Sequence, residues 1–305
     1  MLSIVLLFAW ARASAPGQQP KGTAAGAGGP TAAQIGHSLA NPLSDTWAFF
    51  GQNDLLLFKG DLSRNDTKSG GRTIFQPIIP LPLYGDTSRR WMLVTRPQIP
   101  VLFSQPVPKG IDDFRHVSGL GDTRLPLLIK PPTGQILFAL GPDIVIPTGK
   151  REFTDQQWGL GPGLVGGYMT EKFVTAFFLQ YNWGIGGWNG PDKPDANLGA
   201  LLYFFQISLP NAWAIGTGPS ITYNRNLPKG NRWNVPVGPE VAKTVLLGKL
   251  PVKFELAAYY SVKHEDLFGQ RWQITLDVIP VIPSLVTHPL LGGGKPKPSV
   301  AAGVR

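Results

Sequence analysis

Residues that could carry out chemistry are few in this chain. It has no cysteine, and its 305 residues include four histidines. They are His37, His116, His264 and His288. No two of them are two or four positions apart, although a zinc site within one strand or one helix would need such a spacing. We therefore predict no metal and no cofactor.

Catalytic motifs are missing as well. The Gly-x-Ser-x-Gly sequence that carries the nucleophile of α/β-hydrolases does not occur. His116 and Ser118 are close in sequence, as a serine-histidine pair on the rim of a lipolytic barrel would be, but they lie in a polar connection. We interpret them as solvated loop residues and predict that the chain is not an enzyme.

The most conspicuous stretch is WGLGPGLVGG, residues 158–167. A dinucleotide-binding loop would need a helix after its glycines, and a phosphate-binding loop would need Gly-Lys followed by Ser or Thr. Pro162 interrupts the run, and a turn and another strand pattern follow it. With a period of two, the glycines fall on one face of a strand and the large apolar residues fall on the other.

The same alternation runs through residues 41–283. In residues 252–262, for example, Phe254 and Leu256 lie on one face, and Lys253 and Glu255 lie on the other. The chain also has 37 Gly, 30 Pro and only 15% charged residues. Because Gly and Pro are the poorest helix formers, this composition favours an all-β chain with many turns.

Twelve segments show this pattern, and short and long connections alternate between them. They lie near residues 52–60, 71–80, 91–103, 121–130, 135–147, 157–168, 172–184, 197–209, 212–223, 232–242, 251–263 and 270–281. An even number of strands about ten residues long, with alternate short and long connections, is typical of outer-membrane barrels. Only a closed sheet pairs every backbone N–H and C=O in lipid. The prediction is an all-β, transmembrane, antiparallel up-and-down β-barrel of about twelve strands.

A soluble β-sandwich or soluble barrel would alternate in the same way, with its apolar face as the core. Aromatic residues near the strand ends favour the membrane, because Trp and Tyr collect at the bilayer interfaces. The residues in question are Trp91, Trp158, Trp183, Trp213, Trp233 and Trp272. The net charge of +9 comes from scattered Lys and Arg, so nucleic acid is not expected as a partner.

The ends of the chain differ from the middle. Residues 1–15 combine a short apolar run with a small-x-small site and predict a signal peptide, although no Lys or Arg precedes the run. Residues 16–40 are predicted to form a flexible leader, residues 41–283 the barrel and residues 284–305 a flexible tail. The expected location is the outer membrane of a Gram-negative cell, with its lipid bilayer as partner and the chain as a monomer.

Two groups of residues are candidates for the barrel lumen. The charged candidates are Arg96, Arg124, Lys130, Asp143, Glu240, Lys253, Glu255, Arg271 and Asp277. They could brace the wall as ion pairs or could select solutes, and their mixed signs favour pairing. The glycine candidates are Gly141, Gly159, Gly161, Gly163, Gly218 and Gly238. These glycines could permit sharp curvature of the wall, or could leave space for a plug or a ligand. Four of them precede a proline, where local kinks are expected.

Several stretches in order resemble one known family. They include NPLSDTWAFFGQND, IFQPIIPLPL, RPQIPVLFSQP, GPDIVIPTG, WGLGPG and KLPVKFELAAYYSV, and they cover residues 41–283. The family is that of the MetA pathway of phenol degradation, whose members are often labelled outer-membrane transporters. The resemblance implies a porin-like channel for small hydrophobic or aromatic molecules. A structural or surface-binding barrel without transport is the alternative.

Overall fold

The computed structural model describes residues 31–86, 89–152, 154–187 and 195–292. The predicted signal peptide, the first part of the predicted leader and most of the predicted tail lie outside these residues. The helix is α1, Ala32–Leu39, and one-turn 3-10 helices lie at Asp61–Ser63 and Pro210–Ala212. The strands are β1 (Trp47–Lys59), β2 (Lys68–Tyr84), β3 (Trp91–Thr95), β4 (Ile99–Gly110), β5 (Asp113–Leu120), β6 (Thr123–Lys130), β7 (Ile136–Ile146), β8 (Gln157–Met169), β9 (Phe173–Gly187), β10 (Asn197–Leu209), β11 (Trp213–Thr217), β12 (Ser220–Asn224), β13 (Trp233–Val237), β14 (Glu240–Leu247), β15 (Leu250–Lys263) and β16 (Gly269–Ile282).

These segments form one antiparallel sheet that closes on itself. β1 pairs with β2 on one side and with β16 on the other, so the first and last strands meet. Four pairs of consecutive segments each make one wall strand with an interruption: β3 with β4, β5 with β6, β11 with β12, and β13 with β14. Among the described residues the wall therefore has twelve strands. The prediction of a twelve-stranded antiparallel barrel is confirmed.

The interruptions lie on opposite sides of the wall, in the third and fourth strands and in the ninth and tenth. Gly218-Pro219 and Gly238-Pro239 stand at the second site, where a proline without an N–H cannot continue the ladder. The other two Gly-Pro pairs behave differently, since Pro142 and Pro162 face each other within the continuous pairing of β7 and β8. Kinks were expected at all four pairs, but strands are interrupted at only two.

The two ends of the barrel differ in their connections. At the short-turn end lie the connections that follow β2, β6, β8, β10 and β14. At the long-loop end lie the connections that follow β1, β4, β7, β9, β12 and β15. One connection is shorter than expected, because β4 and β5 continue through most of residues 104–120 as a hairpin. The Phe114 ring packs at a tilt against the ring of Phe268 in another loop, with centroids 4.8 Å apart, which supports this extension.

The leader and the tail each contain ordered residues. Within the predicted leader, residues 32–39 form α1, which begins with a capping box. Thr31 and Gln34 exchange hydrogen bonds there: the Gln34 N–H donates to Thr31 Oγ1 and the Thr31 N–H donates to Gln34 Oε1. Within the predicted tail, Leu290 and Leu291 donate backbone hydrogen bonds to the carbonyl groups of Pro82 and Leu83. These parts of the two segments are therefore structured, which corrects the expectation of flexibility for them.

The outer face of the wall is apolar. On β8, for example, Trp158 and Leu160 are exposed and alternate with buried Gln157 and Gly159. The six tryptophans expected at strand ends are all between 42% and 49% exposed. Four of them lie toward the long-loop end, and Trp91 and Trp213 lie at the short-turn end. Among the described residues, no helix has the length and hydrophobicity to span a bilayer.

Candidate functional site in the barrel interior

A network of charged and polar side chains lies on the buried faces of β10, β14 and β15. The Lys253 ammonium is 2.5 Å from Glu255 Oε1, and both side chains are less than a tenth exposed. Gln206 joins them: its Oε1 accepts from Lys253 at 3.1 Å, and its Nε2 donates to Glu255 at 3.3 Å and to Glu240 at 3.1 Å. The Tyr259 hydroxyl donates to the other oxygen of Glu240 at 3.1 Å. Three predicted lumen residues therefore form one network, together with Gln206 and Tyr259.

Two further ion pairs complete the charged interior. Arg124 Nη2 lies 3.5 Å from Asp143 Oδ2, and the Asp143 carboxylate is fully buried. Arg72 Nε lies 2.7 Å from Asp54 Oδ2, again with a fully buried carboxylate. Thr275 donates a hydrogen bond to Asp54 at 2.8 Å. An unpaired buried charge is costly, so each carboxylate favours the position of the strand that carries its arginine partner. The two ion pairs therefore stabilise the wall.

The remaining charged candidates are Asp277, Arg96, Lys130 and Arg271. Asp277 is buried beside Glu255, its partner residue in the β15–β16 ladder. The Arg96 guanidinium stacks over the Phe50 ring at 4.5 Å. Lys130 binds the segment before β1, and Arg271 lies at the long-loop rim, 2.7 Å from His264 Nε2 and over the ring of Tyr260.

Sequence reasoning missed part of this interior. It did not single out Asp54, Arg72, Gln206 or Tyr259 as lumen residues. Asp54 has a visible signal, since it is an isolated acid that shares a strand face with Leu56 and Phe58. Arg72 and Gln206 carry no comparable signal, because their role depends on which strand lies next to them.

Neighbouring strands occupy the space beside the inner-face glycines. At Gly141, Gly161 and Gly238 a Cβ would overlap a backbone carbonyl oxygen of the adjacent strand. At Gly159 it would meet the Val145 side chain, at Gly163 it would meet Leu128, and at Gly218 it would lie 3.1 Å from a Glu240 oxygen. The glycines therefore permit close contact between strands within the wall. The stretch at residues 158–167 is a strand with closely packed neighbours.

A vestibule of about 790 Å³ opens at the long-loop end. Apolar side chains of Pro100, Leu102, Val145 and Leu198 line part of it. Polar and charged residues line the rest: Arg72, Asp122, Arg124, Arg151, Glu152, Asp155, Thr222, Asn224, Arg232, Asn234, Glu265 and Gln270. Burial, with a smaller contribution from Asp266, raises the pKa of the Glu265 carboxyl in the rim loop. The vestibule is amphipathic and large enough for a small organic solute.

The short-turn half of the interior is packed instead. An apolar cluster joins the segment before β1 to inner-face residues of the wall. Its members are Ala40, Leu43, Met92, Val94, Leu128, Leu137, Ala139, Val165, Val174, Ala176 and Phe178. The His37 ring on α1 lies 2.9 Å from Ser208 Oγ of β10. Burial lowers the pKa of His37, and Lys253 lowers it further, while the Thr170 backbone and Glu171 act in the opposite direction.

A second cavity of about 700 Å³ opens on the outer face beside the interruption in the ninth and tenth wall strands. It is lined mainly by apolar residues such as Phe205, Ile215, Leu256 and Ile274, and Glu240 also borders it. The wall is therefore indented at this interruption.

His116 and Ser118, the sequence candidates for a catalytic pair, do not contact each other in the described residues. His116 Nδ1 lies 2.7 Å from Ser104 Oγ rather than near Ser118, whose hydroxyl donates to the Phe103 carbonyl. Within the described ranges, no carboxylate or amide side chain binds the His116 ring, so the orienting third group of a catalytic triad is missing there. The same ranges contain no cluster of three or more His, Cys, Asp or Glu residues that could hold a metal.

Comparison with known proteins places the fold among outer-membrane barrels. The chain is similar to the COG4313 outer membrane channel from Pseudomonas putida F1, with a TM-score of 0.58 and 12% identity over 80% of this chain and 98% of that one. It also aligns with the CymD monoaromatic hydrocarbon channel (TM-score 0.33, 9% identity, 82% and 93% covered). A third alignment is with Acinetobacter baumannii OccAB3 (TM-score 0.25, 8% identity, 78% and 99% covered). No family model and no curated protein matches the chain.

Proposed function

We propose that this chain is a monomeric outer-membrane channel through which small hydrophobic or aromatic molecules pass without chemical change. The observation that carries the proposal is a closed wall with an apolar outer face around an amphipathic vestibule that opens at one end. The outer face suits lipid because its exposed side chains are apolar and the closed sheet pairs backbone groups between neighbouring strands. The vestibule offers apolar contact and hydrogen-bond partners to one small solute.

The orientation follows from the connections. Outer-membrane barrels have short turns toward the periplasm and longer loops outside. The vestibule therefore faces the outside, and the packed half with α1 faces the periplasm. Export would use the predicted signal peptide at residues 1–15. The resemblance to the MetA-pathway family supports aromatic solutes, and the similar fold of a solved outer-membrane channel supports passage.

The alternative is a structural or surface-binding barrel without transport. The packed short-turn half favours it, because apolar side chains of the described residues pack together across that half. The two functions differ in whether a solute that enters the vestibule goes on to cross the barrel.

Filling the vestibule tests the proposal. Thr222 lies on the inner face of β12 and lines the vestibule, whereas Ile221, its neighbour, lies on the outer face. We expect Thr222→Trp to reduce uptake of radiolabelled phenol and toluene by Gram-negative cells at least fivefold. Ile221→Trp, the matched control, is expected to leave uptake within twofold of the unmodified chain. Equal uptake by cells with and without the unmodified protein would favour the structural barrel.

A further inference from the structure

We propose that residues 31–46, called the plug segment below, are a detachable gate that blocks the short-turn half and must leave the lumen before a solute can pass. The inference rests on the proposed channel function. Of this segment, residues 31–40 were predicted to belong to a flexible leader and residues 41–46 to the barrel.

The plug segment contacts the inner wall on several sides. Gly36 and His37 face Thr244 of β14 and Ser208 of β10. Leu39 packs in a cluster with Ala48, Ile78, Ile279 and Val281 of β1, β2 and β16. Ala40 and Leu43 pack in the larger cluster with residues of β3, β6, β8 and β9. The residues with which the segment packs come from most of the wall strands near one end, so the segment is placed to occupy the cross-section of the barrel there.

The fit of α1 against the wall is close. A Cβ on Gly36 would lie 3.2 Å from Thr244 Cβ and would overlap its hydroxyl oxygen, so only glycine brings the helix this near to β14. Ser38 Oγ lies 3.0 Å from Ser44 Oγ and 3.2 Å from Thr46 Oγ1, which closes the segment on itself. The plug segment is therefore a compact unit.

Its attachment to the wall is of a different kind from the attachment between strands. Every wall strand is joined to its neighbours by backbone ladders. Among the described residues, no backbone-to-backbone hydrogen bond joins the plug segment to a strand. Side chains make the polar links: His37 with Ser208, and Lys130 with the Leu43 carbonyl at 2.8 Å and with Asp45 at 2.5 Å. The segment can therefore leave without breaking the sheet.

Departure of the plug segment would expose a surface suited to the proposed solutes. On one side lie apolar side chains of the larger cluster, including Met92, Leu128 and Phe178. On the other side lie Ser208 and Thr244, followed by the network around Lys253. The resulting path would be amphipathic, like the vestibule above it.

A disulfide lock tests the gate. The natural chain has no cysteine, so Gly36→Cys with Thr244→Cys introduces a single possible bridge. The Cβ separation of 3.2 Å is close to the ~3.5–4.5 Å of disulfides and needs only a small shift. After oxidation, verified by mass spectrometry, we expect single-channel conductance in planar bilayers and cellular phenol uptake to fall at least tenfold. Reduction should restore both to at least the level of the Thr244→Cys variant, which serves as the control because it keeps Gly36.

The possible outcomes distinguish failure of the gate proposal from failure of the channel proposal. Unchanged conductance and uptake in the oxidised pair, with a conducting control, would overturn the gate and leave the channel function intact. An absence of conductance and uptake in the unmodified chain, the reduced pair and the control would overturn both proposals.

A second variant tests the gate independently, in case the double-cysteine protein folds poorly. His37→Ala with Lys130→Met removes both side-chain links, and we expect open probability to rise at least threefold. Lys249→Met, which removes a charge from a turn at the same end, is the matched control and should not change it. An open probability equal to that of the control would also count against the gate.

Discussion

At its long-loop end the barrel surrounds an amphipathic vestibule of about 790 Å³. At its short-turn end, apolar side chains and the plug segment fill the interior. The same twelve wall strands, four of them interrupted, run through both halves, so the halves differ mainly in what fills the interior. Between the two halves lie two buried ion pairs, Lys253 with Glu255 and Arg124 with Asp143. A single β-barrel can therefore pack one half of its interior with apolar side chains and keep a cavity in the other half.

The largest effect on stability is expected where the two halves meet. Lys253→Met leaves the Glu255 carboxylate buried without its ion partner, which should cost about 3–5 kcal/mol of unfolding free energy. Lys68→Met is the control, since the Lys68–Asp112 pair is partly exposed and should contribute at most about 1 kcal/mol. Urea unfolding in detergent, followed by tryptophan fluorescence, measures both. A similar loss for the two variants would contradict the central role of the buried pair.

Truncating a side chain should lower the free energy of unfolding more in the packed half than beside the vestibule. Leu128→Ala opens a cavity in the larger apolar cluster and should cost about 3 kcal/mol. Leu198→Ala makes the same chemical change beside the vestibule and should cost at most about 1 kcal/mol, because no closed cavity forms there. The same unfolding assay compares them. Equal costs would show that the halves are equally packed.

Within β8, neighbouring inner-face glycines should differ in their tolerance of a methyl group. Gly161→Ala places a Cβ on the Tyr181 backbone carbonyl and should cost about 1–3 kcal/mol, because β8 and β9 must move apart. Gly163→Ala meets the end of the flexible Leu128 side chain at 3.0 Å and should cost well under half as much. Heat-dependent mobility on gels ranks the two variants. The reverse ranking would refute the close-packing role of Gly161.

The smallest effect expected is a dependence of plug docking on pH. Burial lowers the pKa of His37 below its ordinary value of 6.5, so the docked segment holds fewer protons than the released one. Docking should therefore be full above pH 6.5 and weaken as the pH falls through the lowered value. Open probability should be higher at pH 5.5 than at pH 7.5, and His37→Gln should reduce that difference. An unchanged pH response in His37→Gln would exclude this histidine as its source.

Much of the wall could be predicted from alternation alone, since each strand must show one face to lipid and one to the interior. The predicted segments near residues 157–168 and 251–263 match β8 and β15 closely. The β4–β5 hairpin was missed because its prolines and charges are typical of loops, and its stability depends on contact with another loop. Helix α1 was missed because it is only eight residues long and follows a Gly- and Ala-rich stretch, although Ile35 and Leu39 share one helical face.

The interior could be predicted only in part. Lys253 and Glu255 stand out as charges on a strand with an apolar opposite face. Their connection through Gln206, and the pairing of Arg72 with Asp54, depend on which strands become neighbours and in which register. A pattern along one strand contains no information of that kind.

The most direct test of the account is the accessibility of single cysteines on the two halves of the inner wall. In reconstituted protein, Thr222→Cys lies in the vestibule, and Thr244→Cys lies beneath the plug segment. We predict that a membrane-impermeant thiosulfonate added from the long-loop side modifies Thr222→Cys at least tenfold faster than Thr244→Cys. Weakening the plug with His37→Ala and Lys130→Met should bring the two rates together. Equal rates with the plug intact would contradict the division of the interior into an open half and a closed half.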